Sequence, residues 1–206
     1  MLKLHGFNLS NYFNMVKMAL IEKGVDFEIV QIQASQDESY LARSPMGKVP
    51  CIETDEGFLS EANVILEFLE ESCEGPSFMP SNPFDRARVR ELMKEMELYI
   101  ELPARTCFPE AFFDGSVSDE VKEAAKTNLT KGIACLKRNA KFSPYVAGDT
   151  MTYADFIFLY TVGLAGACAK RVLGMDLLGD FPEAKELSQM LGSRDSAKQI
   201  ADDQKG

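Results

Sequence analysis

The sequence predicts an α/β domain built on a mixed sheet, followed by an all-helical domain. Three observations carry that expectation. In the first seventy-five residues, short alternating apolar runs interleave with helically spaced ones; residues 74–85, EGPSFMPSNPFD, concentrate Pro, Gly, Ser and Asn; and beyond them the strand patterns disappear. A chain of 206 residues, 46% hydrophobic and 26% charged, can bury a sizeable core without metal or disulfide staples.

MLKLHGF alternates and reads as a strand, while NMVKMALIEKG has helical spacing at Met15, Met18 and Ala19 and stops at Gly24. VDFEIVQI reads as a second strand and ESYLARSP as a short helical turn halted before Pro45. VPCIETD and GFL are strands around a turn at Asp55–Gly57, and EANVILEFLEESC is an amphipathic helix. The order is βαβαββα. Its first half is expected to be parallel through right-handed crossovers and its second to close as a hairpin, a thioredoxin-like layout.

Residues 1–76 are assigned to this domain, 77–84 to a linker and 85–206 to the helical domain. Residues 83–113 and 118–140 read as long helices, 152–171 as a very apolar one and 183–203 as shorter terminal ones. Pro103 and Pro109 are expected to kink or interrupt the first long helix. In MTYADF, Thr152 caps a helix start while Asp155 reaches back to the Thr152 N–H, with Met151 packing on Phe156. The run from Phe156 to Leu164 leaves almost no polar face, so this helix is expected at the centre of the domain.

A formal net charge of −10 argues against nucleic acid and anionic membrane surfaces as partners. Cys51, Cys73, Cys107, Cys135 and Cys168 are widely spaced and form no zinc pattern with the single histidine, His5; they read as reduced thiols of a cytoplasmic protein. The N-terminus lacks the pattern of a signal peptide, and no unbroken apolar stretch approaches the ~20 residues of a membrane span. A Ser-His-Asp hydrolase is set aside because His5 lies in the first strand, where it is expected to face the core or pair with backbone.

The stretch SPMGKVPCIETDEGFLSEANVILEFLEE, residues 44–71, resembles the glutathione-binding half of cytosolic glutathione transferases in both order and spacing. GFNLSNYFNMVKMALIEKG resembles the serine-type start of that family, as in its bacterial and tau-, phi- or theta-like members, and VAGDTMTYADF resembles its helix-capping motif. The likeness covers almost the whole chain, more loosely after about residue 165.

The resemblance implies a role for each matching position. Val49, before a cis Pro50, would offer its N–H and C=O to the cysteinyl backbone of glutathione as a strand partner does. Glu61 would receive the γ-glutamyl amine, and the amides opening the following helix the adjacent carboxylate. The family's serine after that acid is Ala62 here, which removes a hydroxyl donor at a cost of about 0.5–1.5 kcal/mol in binding unless a neighbour such as Ser60 substitutes. Lys48 either meets the glycyl carboxylate or stays in solvent, and Gln36 and Arg43 lie in the segment that reaches the same end.

Ser10 would donate a hydrogen bond to the glutathione thiolate, with Asn11 and Tyr12 as competing donors; read on local sequence alone, Ser10 is a helix N-cap. Cysteine-type members carry a thiol at this position, so thiol reductase chemistry is not expected. Cys51 and Cys73 read as packing residues. In the helical domain, Tyr99, Leu102, Pro103, Cys107 and Phe108, with Tyr12, are candidates for an apolar electrophile pocket, although a stripe at helical spacing equally fits core.

The function implied is conjugation of the glutathione thiol to small apolar electrophiles, a detoxification activity of a homodimer that uses glutathione as co-substrate and holds no permanent cofactor or metal. The alternatives are a non-catalytic binding relative, favoured by Ala62, and glutathione-dependent isomerase or peroxidase chemistry at the same first site.

Overall fold

The structure, a computed structural model, describes residues 1–205. Two compact units divide the chain: Met1–Phe78 together with the segment from Ser193 onward, and Met79–Gly192. In the first unit the strands are β1 (Leu2–Gly6), β2 (Phe27–Gln31), β3 (Cys51–Thr54) and β4 (Gly57–Ser60), and the helices are α1 (Asn11–Lys23), α2 (Glu38–Leu41) and α3 (Ala62–Ser72). The expected βαβαββα order is what folds. The sheet order is β2-β1-β3-β4, with β1 and β2 parallel and β3 antiparallel to both β1 and β4.

Alternation along the strands separates two faces. Leu4 and Ile52 are paired across β1 and β3 and are fully buried, as are Phe13, Val16 and Leu20 of α1 and Ile65, Leu66 and Leu69 of α3, which pack together as one core. On the other face Lys3 and His5 meet Glu53: the Lys3 ammonium donates to Oε1 at 2.9 Å, and His5 Nε2 lies 3.0 Å from Oε2. His5 is buried, as the sequence allowed, and its ring meets a carboxylate across the sheet. The Lys3 hydrogen bond, followed by that from His5, holds the Glu53 carboxyl below its usual range.

Helix α11 (Asp195–Asp203) belongs to this first unit, whereas the sequence placed residues 183–203 together in the helical domain. The reason is local chemistry: Ser196, Ala197 and Ile200 are its buried residues, and it packs on α1. The Arg194 guanidinium clasps the Glu22 carboxylate through two bonds of 2.7 Å, and Ser196 donates to the same carboxylate. These partners are too far apart in the chain for periodicity to reveal.

The second unit is all helical: α4 (Pro83–Met96), α5 (Leu102–Arg105), α6 (Phe108–Phe112), α7 (Asp119–Asn139), α8 (Tyr153–Ile157), α9 (Gly163–Cys168) and α10 (Pro182–Gly192). A π-helical turn, Glu97–Glu101, joins α4 to α5, and the Leu102 N–H bonds to the Glu97 carbonyl. Pro103 has no N–H to give the Tyr99 carbonyl, so its effect is a widened turn instead of a break. Gly132 of α7 packs against that turn; a Cβ there would stand 2.0 Å from the Tyr99 carbonyl oxygen.

Helices α8 and α9 run on through π turns as one helix, Tyr153–Leu173, long and apolar enough by composition to cross a bilayer. Its neighbours show another use: it packs against α4, α5, α6, α7 and α10 as the central helix of the unit. The capping box expected at its start is present, with Asp155 Oδ2 accepting from the Thr152 N–H at 2.7 Å. Oδ1 accepts from the Val146 N–H at 2.8 Å, which fastens the preceding loop to the same carboxylate.

Burial pushes the Asp155 carboxyl up to about 6 against the hydrogen bonds from Thr152 and Val146. Its ordinary value is 3.8, so between the two the native state holds a proton that the unfolded chain has lost. Stability from this group is therefore greatest below the lower value and falls as pH rises through about 6. Denaturant midpoints at pH 4.5 and 7.5 should show wild type losing stability relative to Asp155→Asn as the pH rises, and Asp155→Ala at pH 7.5 should cost about 2–4 kcal/mol through the stranded Val146 and Thr152 amides.

Candidate functional site

Strand register fixes where the candidate residues stand. His5 pairs with Cys51 and Cys51 with Ser60, so the end of β1, the start of β3 and the end of β4 lie at one end of the sheet. Three connections leave from that end: Phe7–Ser10 into α1, the approach through Lys48–Pro50 into β3, and Glu61 into α3. Both helices thus begin at this end, and their unpaired N-terminal amides concentrate positive potential there.

Ser10 is the N-cap of α1: its Oγ accepts from the Phe13 N–H at 3.3 Å. That bond uses an oxygen lone pair and leaves the hydroxyl hydrogen to be donated elsewhere. Ser10 is half-buried, Asn11 is buried and Tyr12 is half-buried. Neither Asn11 nor Tyr12 is without a partner of its own.

The Val49–Pro50 peptide is cis, as the resemblance implied. Val49 N–H and C=O take part in none of the backbone hydrogen bonds of the described residues. The preceding carbonyl, that of Lys48, accepts from the Tyr40 hydroxyl at 2.9 Å and the Ser44 hydroxyl at 2.8 Å, while Lys48 itself is exposed. Tyr40 and Ser44 are both buried, and sequence reasoning missed them as supports of this loop. Their signal was a tyrosine and a serine in ESYLARS, separated from MGKVP only by Pro45. Gln36 donates to the Met46 carbonyl at 3.3 Å and Arg43 stacks on the Phe58 ring at 5.7 Å, so the first steadies the same loop and the second lies over β4.

Glu61 is exposed and has φ +69°, a left-handed conformation uncommon for a side chain of this kind, at the N-cap of α3. Strain of this sort collects at ligand-binding positions. Ala62, buried at the first position of α3, offers its N–H but no hydroxyl. Cys51 is fully buried and burial pushes its thiol up, which fits packing and not nucleophilic attack.

The helical unit contains a cleft of about 480 Å³ lined by Leu98, Tyr99, Pro103, Asn128, Lys131, Gly132 and Cys135. Of the candidates for an electrophile pocket, it brings Tyr99 and Pro103 together. Cys107 and Phe108 are not on it: they are 0% and 6% exposed, inside the unit. The reason is that the helix carrying Tyr99 and Pro103 ends at Arg105, so the stripe cannot continue to residue 107. Asn128, Lys131 and Cys135, from one face of α7, were not anticipated.

The thioredoxin-like sheet thus gathers a cis proline, an unpaired backbone edge and two helix N-termini at one end. A family model described as the N-terminal domain of glutathione S-transferase matches residues 4–77. A glutathione S-transferase of Pseudomonas putida is 53% identical over 203 residues, covering 98% of this chain and 92% of its own length. The chain belongs to the glutathione S-transferase family. Among solved structures, glutathione transferase F7 of Populus trichocarpa superposes with a TM-score of 0.80 at 22% identity over 99% of both chains. A glutathione S-transferase of Rhodospirillum rubrum superposes with a TM-score of 0.77 at 26% identity, over 97% of this chain and 91% of its own.

Gly47 tests how tightly the loop before Val49 is built. It has φ +65°, and a Cβ would meet the Ser35 carbonyl oxygen at 2.1 Å, a backbone atom that cannot rotate away. Gly47→Ala should cost about 1–3 kcal/mol of stability in denaturant titration. It should also abolish retention on immobilised glutathione, because Lys48 and Val49 move with the residue before them.

Proposed function

We propose that this chain conjugates the thiol of glutathione to small apolar electrophiles, acting in the cytoplasm as a homodimer in detoxification. Glutathione enters as co-substrate and supplies the nucleophile, so the reaction calls for no permanently held cofactor or metal. The charge of −10 disfavours nucleic acid and anionic membranes as partners.

Val49 pairs through its N–H and C=O with the cysteinyl backbone, Glu61 receives the γ-glutamyl amine, and the amides at the start of α3 take the neighbouring carboxylate. Lys48 meets the glycyl carboxylate. Ala62 contributes only its backbone N–H, so this end of the peptide is held by amide donors without a hydroxyl. The sulfur then lies by the N-terminus of α1.

A free thiol, with a pKa near 8.5, is only a few per cent ionised at neutral pH. A hydroxyl donor and a helix N-terminus that together lower the pKa by about two units make most of it thiolate. Ser10 is that donor; it needs no base, because the proton leaves to solvent when the thiolate forms. The thiolate attacks the electrophilic carbon, forming the C–S bond, and the leaving group departs with the bonding pair. Tyr99 and Pro103 of the helical cleft contact the apolar substrate.

The observation that supports this reading most is the convergence of the Ser10, Val49–Pro50 and Glu61 connections at one end of the sheet. Conjugation rates and glutathione calorimetry on the same preparations test it. Ser10→Ala should lower the rate at least about tenfold with little change in glutathione affinity, as loss of one hydrogen bond to a charged atom does. Glu61→Gln should weaken binding about three- to thirtyfold. An unchanged rate in Ser10→Ala removes that residue from the mechanism, and binding without turnover across varied electrophiles makes the chain a binding protein.

A further inference from the structure

We propose that the C-terminal end of α11 is a strap that positions the Ser10 hydroxyl, with Lys17 and Asp203 as positioning residues. The proposal rests on the reading of Ser10 as the donor to the thiolate.

The turn before Ser10 has little apolar anchorage. Leu9 is 72% exposed, and the turn closes on a single backbone bond from the Ser10 N–H to the Phe7 carbonyl, 3.0 Å. What fixes the peptide between them is a polar cluster centred on Asn8. The Asn8 carbonyl accepts from Asn14 Nδ2 at 2.7 Å and from Gln204 Nε2 at 3.1 Å. The Asn8 side-chain amide donates to the backbone carbonyl of Asp203 at 2.7 Å. Lys17 Nζ donates to Asp203 Oδ2 at 2.6 Å.

Lys17 is a full ammonium-bearing side chain with only 2% exposure, and Asp203 is 40% exposed. A buried cation demands a partner, so the end of α11 is held against α1 wherever Lys17 keeps its charge. Ser10, Asn14 and Lys17 lie at i, i+4 and i+7, one face of α1 and its cap, and Asn14 is itself 1% exposed. The strap therefore runs from the charge at Lys17, through Asp203, to Asn8 and the turn that sets the backbone of Ser10. The other charges on α1 are engaged at its far end, Glu22 with Arg194 and Lys23 with Glu70, and on α11 Asp195 pairs with Lys198 and Asp202 with Lys205. Because Oγ of Ser10 is already oriented by the Phe13 N–H, rotation of the turn changes where its hydrogen points.

Positioning and direct electrostatics make opposite forecasts. Lys17→Met keeps the length and packing of the side chain but removes the cation; Asp203→Asn keeps the acceptor oxygen and the backbone link to Asn8 but leaves the cation unbalanced. If the charges act straight on the thiolate, the first raises and the second lowers the pKa of bound glutathione. If they act through the turn, both raise it.

The test is a thiolate absorbance titration of the glutathione complex for both variants, each alone and combined with Ser10→Ala, with kcat and KM measured on chlorodinitrobenzene and thermal midpoints recorded. We expect both single variants to raise the thiol pKa by about half to one unit and to lower kcat at pH 6.5 about three- to tenfold, with the KM for glutathione within about twofold. In the Ser10→Ala background neither should shift the pKa further, since the strap works through that hydroxyl. Shifts of opposite sign, or no shift in either single variant while Ser10→Ala does shift, overturn the strap and leave Ser10 in place. An unshifted Ser10→Ala overturns the reading of Ser10 itself and the strap with it. Asp203→Asn, at the half-exposed partner, carries the test alone if Lys17→Met yields no folded protein.

Discussion

The pairing of β1 with β3, through Leu4 with Ile52 and His5 with Cys51, sets where every candidate binding group can stand. Because β3 runs against β1 and β4 runs against β3, one strand end, one strand start and another strand end share one end of the sheet. With β1 held in place, a slip of one residue would turn Ile52 out of the core and bring Glu53 into it, so the hydrophobic pattern enforces the register. The binding geometry is in this sense a by-product of core burial. The same sequence alternation that hides Leu4 also delivers Ser10, Val49 and Glu61 to common ground.

Function then depends on local potential against an opposing average. The chain carries a net charge of −10, yet the shared end of the sheet presents the N-termini of α1 and α3 and the exposed ammonium of Lys48. Amide dipoles fall off within about a turn, so they act on a bound peptide and not on distant solutes. In the proposed binding mode Ala62 brings no hydroxyl, so the backbone amides that open α3, next to the left-handed Glu61, carry the contact. On the far side of the loop, Tyr40 and Ser44 hold the Lys48 carbonyl so that the next peptide, Val49, keeps its own groups available.

Local signals were legible wherever partners lie close in sequence. The alternation of MLKLHGF, the spacing of NMVKMAL, the turn before GFL and the capping box at Thr152 each gave the element that forms. The three connections of the candidate site were legible too, since two of them follow strands, β1 and β4, and the third leads into β3. What stayed hidden involves separations that no window spans. Lys17 and Asn14 look like ordinary polar positions on α1, and only the fold shows them buried, Lys17 against Asp203, 186 positions away. Cys107 and Phe108 continue a helical stripe on paper, but the helix ends before them. The π turn at Glu97–Glu101 follows from Pro103, although proline alone does not distinguish a kink, a break and a widened turn.

The central claim is that this end of the sheet holds glutathione with its sulfur at Ser10, and a crystal structure of the glutathione complex tests it most directly. The sulfur is expected within about 3.0–3.4 Å of Ser10 Oγ, a distance suited to a soft acceptor, with the cysteinyl backbone paired to Val49. A sulfur bonded instead to Tyr12 or Asn11, or a peptide bound without using Val49, would contradict it.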